Sequence, residues 1–177
     1  GKSKLRKEVV GPMLGKDNSG AQNPQDLSDP NRRFESAMLY GMEANLVPDV
    51  ADGYMRDTSM IKRLTGGDVI SAEFKGISNF HYVNYSKQLF AANTMPTFTD
   101  ISGGFTARVM VIKLINGDVR HQPRRREFWG QFDMATIKQE RAAFAIHRIP
   151  LFAHALARGA VTKPERLVPP SPEWFNG

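Results

Sequence analysis

The 177-residue chain carries 24 Lys and Arg against 18 Asp and Glu, a net charge of +6, and 41% of its residues are hydrophobic. It has no cysteine, which excludes disulfides, cysteine-based zinc sites and thiol catalysis, and no long apolar run suggests a membrane span or a signal-peptide core. The length suits one domain with a real core, the missing cysteines agree with a reducing, cytoplasmic setting, and the basic excess favours a polyanionic partner such as nucleic acid.

The chain opens Gly1-Lys2-Ser3 and runs straight into Lys4-Leu5-Arg6-Lys7-Glu8, the back half of a phosphate-binding loop without its upstream glycine. In such a loop, N–H groups at a helix start cradle phosphates, the lysine reaches the outer phosphates and the serine hydroxyl can ligate magnesium. Residues 3–14 read as an amphipathic helix with Leu5, Val9 and Val10 facing inward, ended by Gly11-Pro12 or, with a kink, by Gly15. Residues 16–29, rich in Asn, Gly, Gln, Ser and Asp, read as a loop, and 31–37 as a short helix anchored by Phe34. The apolar stretch 39–47 predicts a strand ending in Pro48-Asp49, with an acid at its tip that could hold magnesium or activate water. Asp57 or Thr58 caps a helix through Leu64, and Gly66-Gly67 closes it with positive φ.

Stretches 69–74 and 80–83 predict two strands flanking a glycine-containing turn at 75–79, a projecting hairpin with Lys75 and His81 on it. A further strand over 88–92 ends in Asn93, whose amide could orient a water or touch an outer phosphate. Ser102-Gly103-Gly104-Phe105-Thr106-Ala107-Arg108 then precedes an apolar run, 109–114, setting Arg108 where it could face a neighbouring protomer's nucleotide. His121, His147 and His154 lack a carboxylate or second histidine at metal-ligand spacing and read as surface or packing residues. Arg124-Arg125-Arg126 reads as a solvated loop or ion-pair site, and Phe128, Trp129 and Phe132 as packing between sheet and helices. From Met134 the chain turns helical, with Ile137, Ala142, Ala145 and Ile146 on one side. A second segment follows a junction at Pro150, carries Leu151, Phe152, Ala155 and Leu156, and ends at Gly159.

The segment from Asp52-Gly53-Tyr54-Met55-Arg56-Asp57 to Gly66-Gly67-Asp68-Val69-Ile70-Ser71-Ala72-Glu73, with Phe90-Ala91-Ala92-Asn93-Thr94-Met95-Pro96, resembles the superfamily 3 helicase domain of phage and plasmid primase-helicases. The likeness covers residues 1 to about 108 and continues more faintly to about 164. It implies a P-loop, AAA+-like α/β fold: a mostly parallel sheet flanked by helices, lacking its first strand, with a hairpin insertion and C-terminal helices. The division it implies is an ATPase core over 1–126 with a DNA-facing hairpin at 69–85, a helical appendage over 127–165 and an extended tail over 166–177.

The same resemblance implies a ring, a homo-hexamer in that family, hydrolysing ATP with Mg2+ at subunit interfaces in a bacterial host cell, with single-stranded DNA in the pore and a primase or origin-binding part upstream. Gly1, Lys2 and Ser3 then bind nucleotide, Ser3 and Asp49 hold magnesium, Asn93 is the polar sensor, Arg108 the arginine finger and Lys75 the DNA contact of the hairpin; beside it, from its own chemistry, the His81 imidazole could stack on or hydrogen-bond the strand. Lys87 falls on a further basic position of the family. Pro48 stands where the family often has the first of two adjacent acids, which leaves open how magnesium binding and water activation are divided. Two other classes stay in view: a P-loop ATPase that does not unwind DNA, and a catalytically inert basic DNA-binding fragment.

Overall fold

A computed structural model describes residues 2–15, 17–51, 53–55, 57–98, 100, 102–114, 127, 130–131 and 133–157. The helix α1 begins as α-helix over Lys2–Lys4, widens to a π-helix over Leu5–Val10 and closes as α-helix over Gly11–Leu14. It crosses Gly11-Pro12, where Arg141 donates to the Glu8 carbonyl that the missing Pro12 N–H leaves open, and it stops at Gly15. The wide turn changes the phase of the side chains. Leu5, expected inward, is exposed, while Val9 and Val10 are partly buried.

Residues 16–29 are not all loop: they contain strand β1 (Ser19–Gly20) and a helical turn, α2 (Pro24–Leu27), capped by the Asn23 side chain on the Gln25 N–H. The short helix expected at 31–37 lies later, as a 3-10 turn over Ser36–Leu39. Phe34 is not its anchor. It lies at the surface with the Arg33 guanidinium 5.0 Å from its ring centre, and Ala37 and Leu39 take the inward role at 1% exposure each.

Strand β2 (Ala44–Val50) starts later than the apolar run that predicted it, and β6 (Lys87–Ala92) lies parallel beside it, giving the order β1-β2-β6. The β2–β6 register runs Ala44↔Lys87, Asn45↔Gln88, Leu46↔Leu89 and Val47↔Phe90, then resumes at Val50↔Ala92. One extra residue is thus accommodated at Pro48-Asp49, a bulge where proline has no N–H to give a ladder. Two shorter pairings complete the architecture: β3 (Tyr54–Met55) parallel to β7 (Thr97–Phe98), and β4 (Val69–Ala72) antiparallel to β5 (Phe80–Val83). The fold is mixed α/β with a parallel three-stranded sheet.

Helix α3 (Ser59–Gly66) is capped by Asp57, whose carboxylate accepts the Ser59 N–H at 2.7 Å, and is closed by Gly67 at φ 80°, a left-handed conformation that favours glycine. Its Ile61 and Leu64 join Leu27, Leu39, Met55, Ile70, Ala72, Tyr82, Phe98 and Phe105 in one core. Phe105, on the helical turn α4 (Gly103–Thr106), is 1% exposed, a burial that stabilises by about 2–3 kcal/mol. The apolar run 109–114 has no strand pairing, and Met110, Ile112 and Leu114 on it are exposed.

Helix α5 (Met134–Ala157) is continuous through Pro150, so the proline is not the junction expected. It leans on α1 through the Glu8–Lys138 ion pair at 2.7 Å and through Arg141, which donates to the Glu8 carbonyl at 2.9 Å. Met134, Ile137, Arg141 and Ala145 are partly buried, whereas Ala142 and Ile146, expected on that side, are exposed. No described helix is long and apolar enough to cross a membrane. The readings of His121, Arg124-Arg125-Arg126, Phe128, Trp129, Phe132, Gly159 and the tail 166–177 fall outside the described residues.

Candidate functional site

Because β2 and β6 are parallel neighbours, their carboxyl ends lie at the same edge of the sheet, the edge at which open α/β sheets collect ligands. Asn93 follows β6 and Asp49 lies in the bulge near the end of β2; both are exposed. The α1 start reaches the same edge. The Lys2 ammonium donates to the Asn93 Oδ1 at 2.7 Å and to the Ala92 carbonyl. Both acceptors are neutral, so they leave the lysine's positive charge uncompensated and open to an anion.

Ser3 is exposed in the first turn of α1, and Gly1 lies outside the described residues. The structure therefore brings Lys2 and Asn93 into contact and puts Asp49 at their edge of the sheet. Arg108 is placed differently. Its guanidinium folds back on the Gly104 carbonyl and lies beside Gly66 at the end of α3, exposed on the surface. Among the described residues no group of three or more His, Asp or Glu is clustered as a metal site.

The hairpin forms as expected. Ile77 donates to the Phe74 carbonyl at 3.0 Å across Lys75-Gly76, and Gly76 at φ 80° supplies the positive φ that the third position of this tight turn needs. One face, with Ile70, Ala72 and Tyr82, is buried; the other exposes Val69, Ser71, His81 and Val83. Ser71 and His81 are directly opposite. Lys75 is exposed at the tip, and Lys87 is exposed at the start of β6. The hairpin is held along its length by Tyr82, whose hydroxyl donates to the Ser36 carbonyl, and by Tyr40, edge-on to Tyr82 at 5.5 Å and to Phe80, in the ladder pair nearest the turn, at 5.1 Å. Burial pushes the Tyr82 hydroxyl up to about 12.

A second polar cluster went unseen in the sequence. The Asp100 carboxylate accepts from the Lys62 ammonium at 2.8 Å, from the Thr58 hydroxyl at 2.5 Å and from the Ser102 N–H at 2.9 Å. The Lys62 hydrogen bond, followed by those from Ser102 and Thr58, holds the carboxyl well below the usual range. The one local signal was Asp100-Ile101-Ser102-Gly103, an acid two residues before a serine, which is the spacing of an Asx-turn.

The profile of a family of unknown function, DUF5906, matches residues 1–108. The chain belongs to that family. The DUF5906 segment thus takes in Lys2, Asp49, the hairpin and Asn93, and its last residue is Arg108. A search of the curated proteins returns no match for the chain.

Proposed function

We propose that this chain is the ATP-hydrolysing motor of a DNA helicase of the superfamily 3 kind, working as a ring in phage or plasmid replication. The observation that carries the reading is the 2.7 Å contact between the Lys2 ammonium and Asn93 at the sheet edge shared with Asp49. An uncompensated ammonium suits phosphate oxygens, and a hydroxyl with a carboxylate suits a hard divalent cation. The residues present therefore fit ATP and Mg2+. Lys2 would hold the outer phosphates, with Ser3 and Asp49 as the magnesium ligands; bound magnesium supplies neutralisation of the charge on the phosphate oxygens.

Each protein group then has one task. Lys2 leaves its neutral partners for phosphate, and the Asn93 amide, freed of Lys2, orients water or the outer phosphate. Arg108, exposed on the far end of the α3 and α4 assembly, serves the site of the next protomer, where a finger donated in trans is worth about three to five orders of magnitude in rate. Lys75 meets the DNA backbone as a sequence-blind charge, with His81 beside the strand.

A second reading, a nucleotide-binding protein that hydrolyses slowly or not at all, draws on Pro48, which occupies the bulge and leaves Asp49 as the acid at that end of β2. Strand displacement and ATP turnover by the intact protein separate the two. The motor reading expects single-stranded DNA to stimulate turnover and Lys2→Ala to abolish both activities. Nucleotide binding without DNA-stimulated turnover in the unaltered protein would favour the second.

A further inference from the structure

We propose that Asp100 is the positioning residue for Arg108: its carboxylate clamps the start of the arm that presents the guanidinium to a neighbouring protomer. The inference rests on the reading of Arg108 as a finger donated in trans.

The arm is short and fastened at three points. At its start, Asp100 binds Thr58 and Lys62, at the N-terminal part of α3, and turns the chain by accepting the Ser102 N–H. In its middle, the Ser102 carbonyl accepts the N–H groups of Phe105 and Thr106 at 3.0 Å each, and Phe105 plugs the core with its ring 4.9 Å from Phe98. At its end, the Arg108 N–H donates to the Phe105 carbonyl at 2.9 Å and the guanidinium lies by Gly66, the last residue of α3. The arm thus lies along α3, held at one end by a charged cluster and presenting its arginine at the other.

Thr58 is 3% exposed, so its hydroxyl depends on Asp100 for a partner. A carboxylate bound by an ammonium, a hydroxyl and an N–H is a far stiffer hinge stop than a single hydrogen bond. The clamp also ties the arm to its own nucleotide edge. The chain leaving β2 and the chain leaving β6 pair as β3 and β7, Tyr54↔Thr97 and Met55↔Phe98, and Asp100 then joins the elements that follow each of them.

Two measurements on the intact protein test this. The first is amide exchange in the nucleotide-free state: Asp100→Asn should speed exchange of the 105–108 amides by about tenfold and leave β2 and β6 unchanged, because the clamp is local. The second is mixing. Asp100→Asn keeps its own site but presents a loosened finger, whereas Lys2→Ala has a dead site and an intact finger. Each alone should turn over ATP poorly, and a mixture should recover activity at interfaces where Lys2→Ala donates Arg108. A mixture of Arg108→Ala with Lys2→Ala is the control.

Recovery in both mixtures with faster arm exchange is the expected result. Recovery with Arg108→Ala only, or unchanged arm exchange, overturns the role of Asp100. Failure of the control mixture overturns the donated finger itself, and the clamp's role with it. Should Asp100→Asn melt below the assay temperature, Lys62→Met removes the strongest partner from a partly exposed position and is judged by the same outcomes.

Discussion

Lys2 and Asn93, 91 residues apart in the chain, meet at 2.7 Å where β6 ends. The contact joins the first turn of α1 to the end of an outer strand of the sheet, and its chemistry is asymmetric: a full charge faces an amide dipole. A phosphate could displace the amide with a gain in electrostatic energy, because charge would then meet charge.

Replacing Asn93 with aspartate turns that asymmetry around. The Asn93→Asp carboxylate would pair with Lys2 in the resting protein and compete with phosphate, so ATP affinity should fall about tenfold or more, with folding stability changed by under about 1 kcal/mol because the pair is exposed. Titration with a fluorescent ATP analogue and a thermal melt check the two halves. Unchanged affinity would remove Lys2 from the phosphate site.

The sheet has a polar girdle that should prove costly to break. Asn45, 0% exposed in the central strand, donates to the Gln22 carbonyl and to Gln88 Oε1 at 2.9 Å each and accepts the Gln22 N–H at 2.7 Å. Asn45→Leu removes three hydrogen bonds to partly buried partners, at about 0.5–1.5 kcal/mol each. Urea unfolding should show a decrease in stability of about 2–5 kcal/mol at an unchanged m-value.

Which of these features were legible in the sequence follows from the range of the interactions that make them. The hairpin was, since alternation along β4 and β5 and a glycine at the turn are local facts; so was α3, with Asp57 before it and Gly67 after it. Strand β1 was not, because Ser19–Gly20 is a strand only by pairing with Ala44 and Asn45. The pattern set Leu5 inward with Val9 and Val10, yet it is exposed, and Pro150 was overridden by a helix long enough to absorb one missing hydrogen bond. Asp49 and Asn93 were found as strand-end residues, and parallel pairing brought their ends to one edge. Asp100 was missed because its partners Thr58 and Lys62 lie 42 and 38 residues upstream.

Stability should depend on pH through Asp100 and Tyr82, in opposite directions. The folded state depresses the Asp100 carboxyl, so its contribution is complete above the unfolded value of about 4 and is lost as the pH falls below it. Tyr82 is raised, so its contribution is complete below the unfolded value of about 10 and is lost as the pH rises toward about 12. Denaturant midpoints should therefore fall at both extremes; Asp100→Asn should flatten the acid limb and Tyr82→Phe the alkaline limb. Equal limbs in the variants and the unaltered protein would refute the assignment.

The hairpin tip should separate ATP hydrolysis from DNA contact. Lys75 is exposed, on a turn whose shape depends on Gly76 rather than on the lysine, so Lys75→Ala should fold normally and leave ATP turnover without DNA unchanged. If the tip neutralises one phosphate, the variant should bind single-stranded DNA more weakly on every sequence tested, and the slope of log affinity against log salt should shrink by about 0.7, the share of a single phosphate on a single strand. Unwinding should drop far more than binding, because a moving tip must hold the strand to transmit force. Gly76→Ala strains the turn at positive φ and should impair unwinding with the lysine still present, whereas His81→Ala, on the exposed face opposite Ser71, should weaken DNA binding with less change in salt slope than Lys75→Ala, because a stacking contact releases no counterion. Salt titrations of DNA affinity for the three variants, set beside strand-displacement rates, would decide it: an unchanged slope and full unwinding in Lys75→Ala would leave the hairpin as a surface feature.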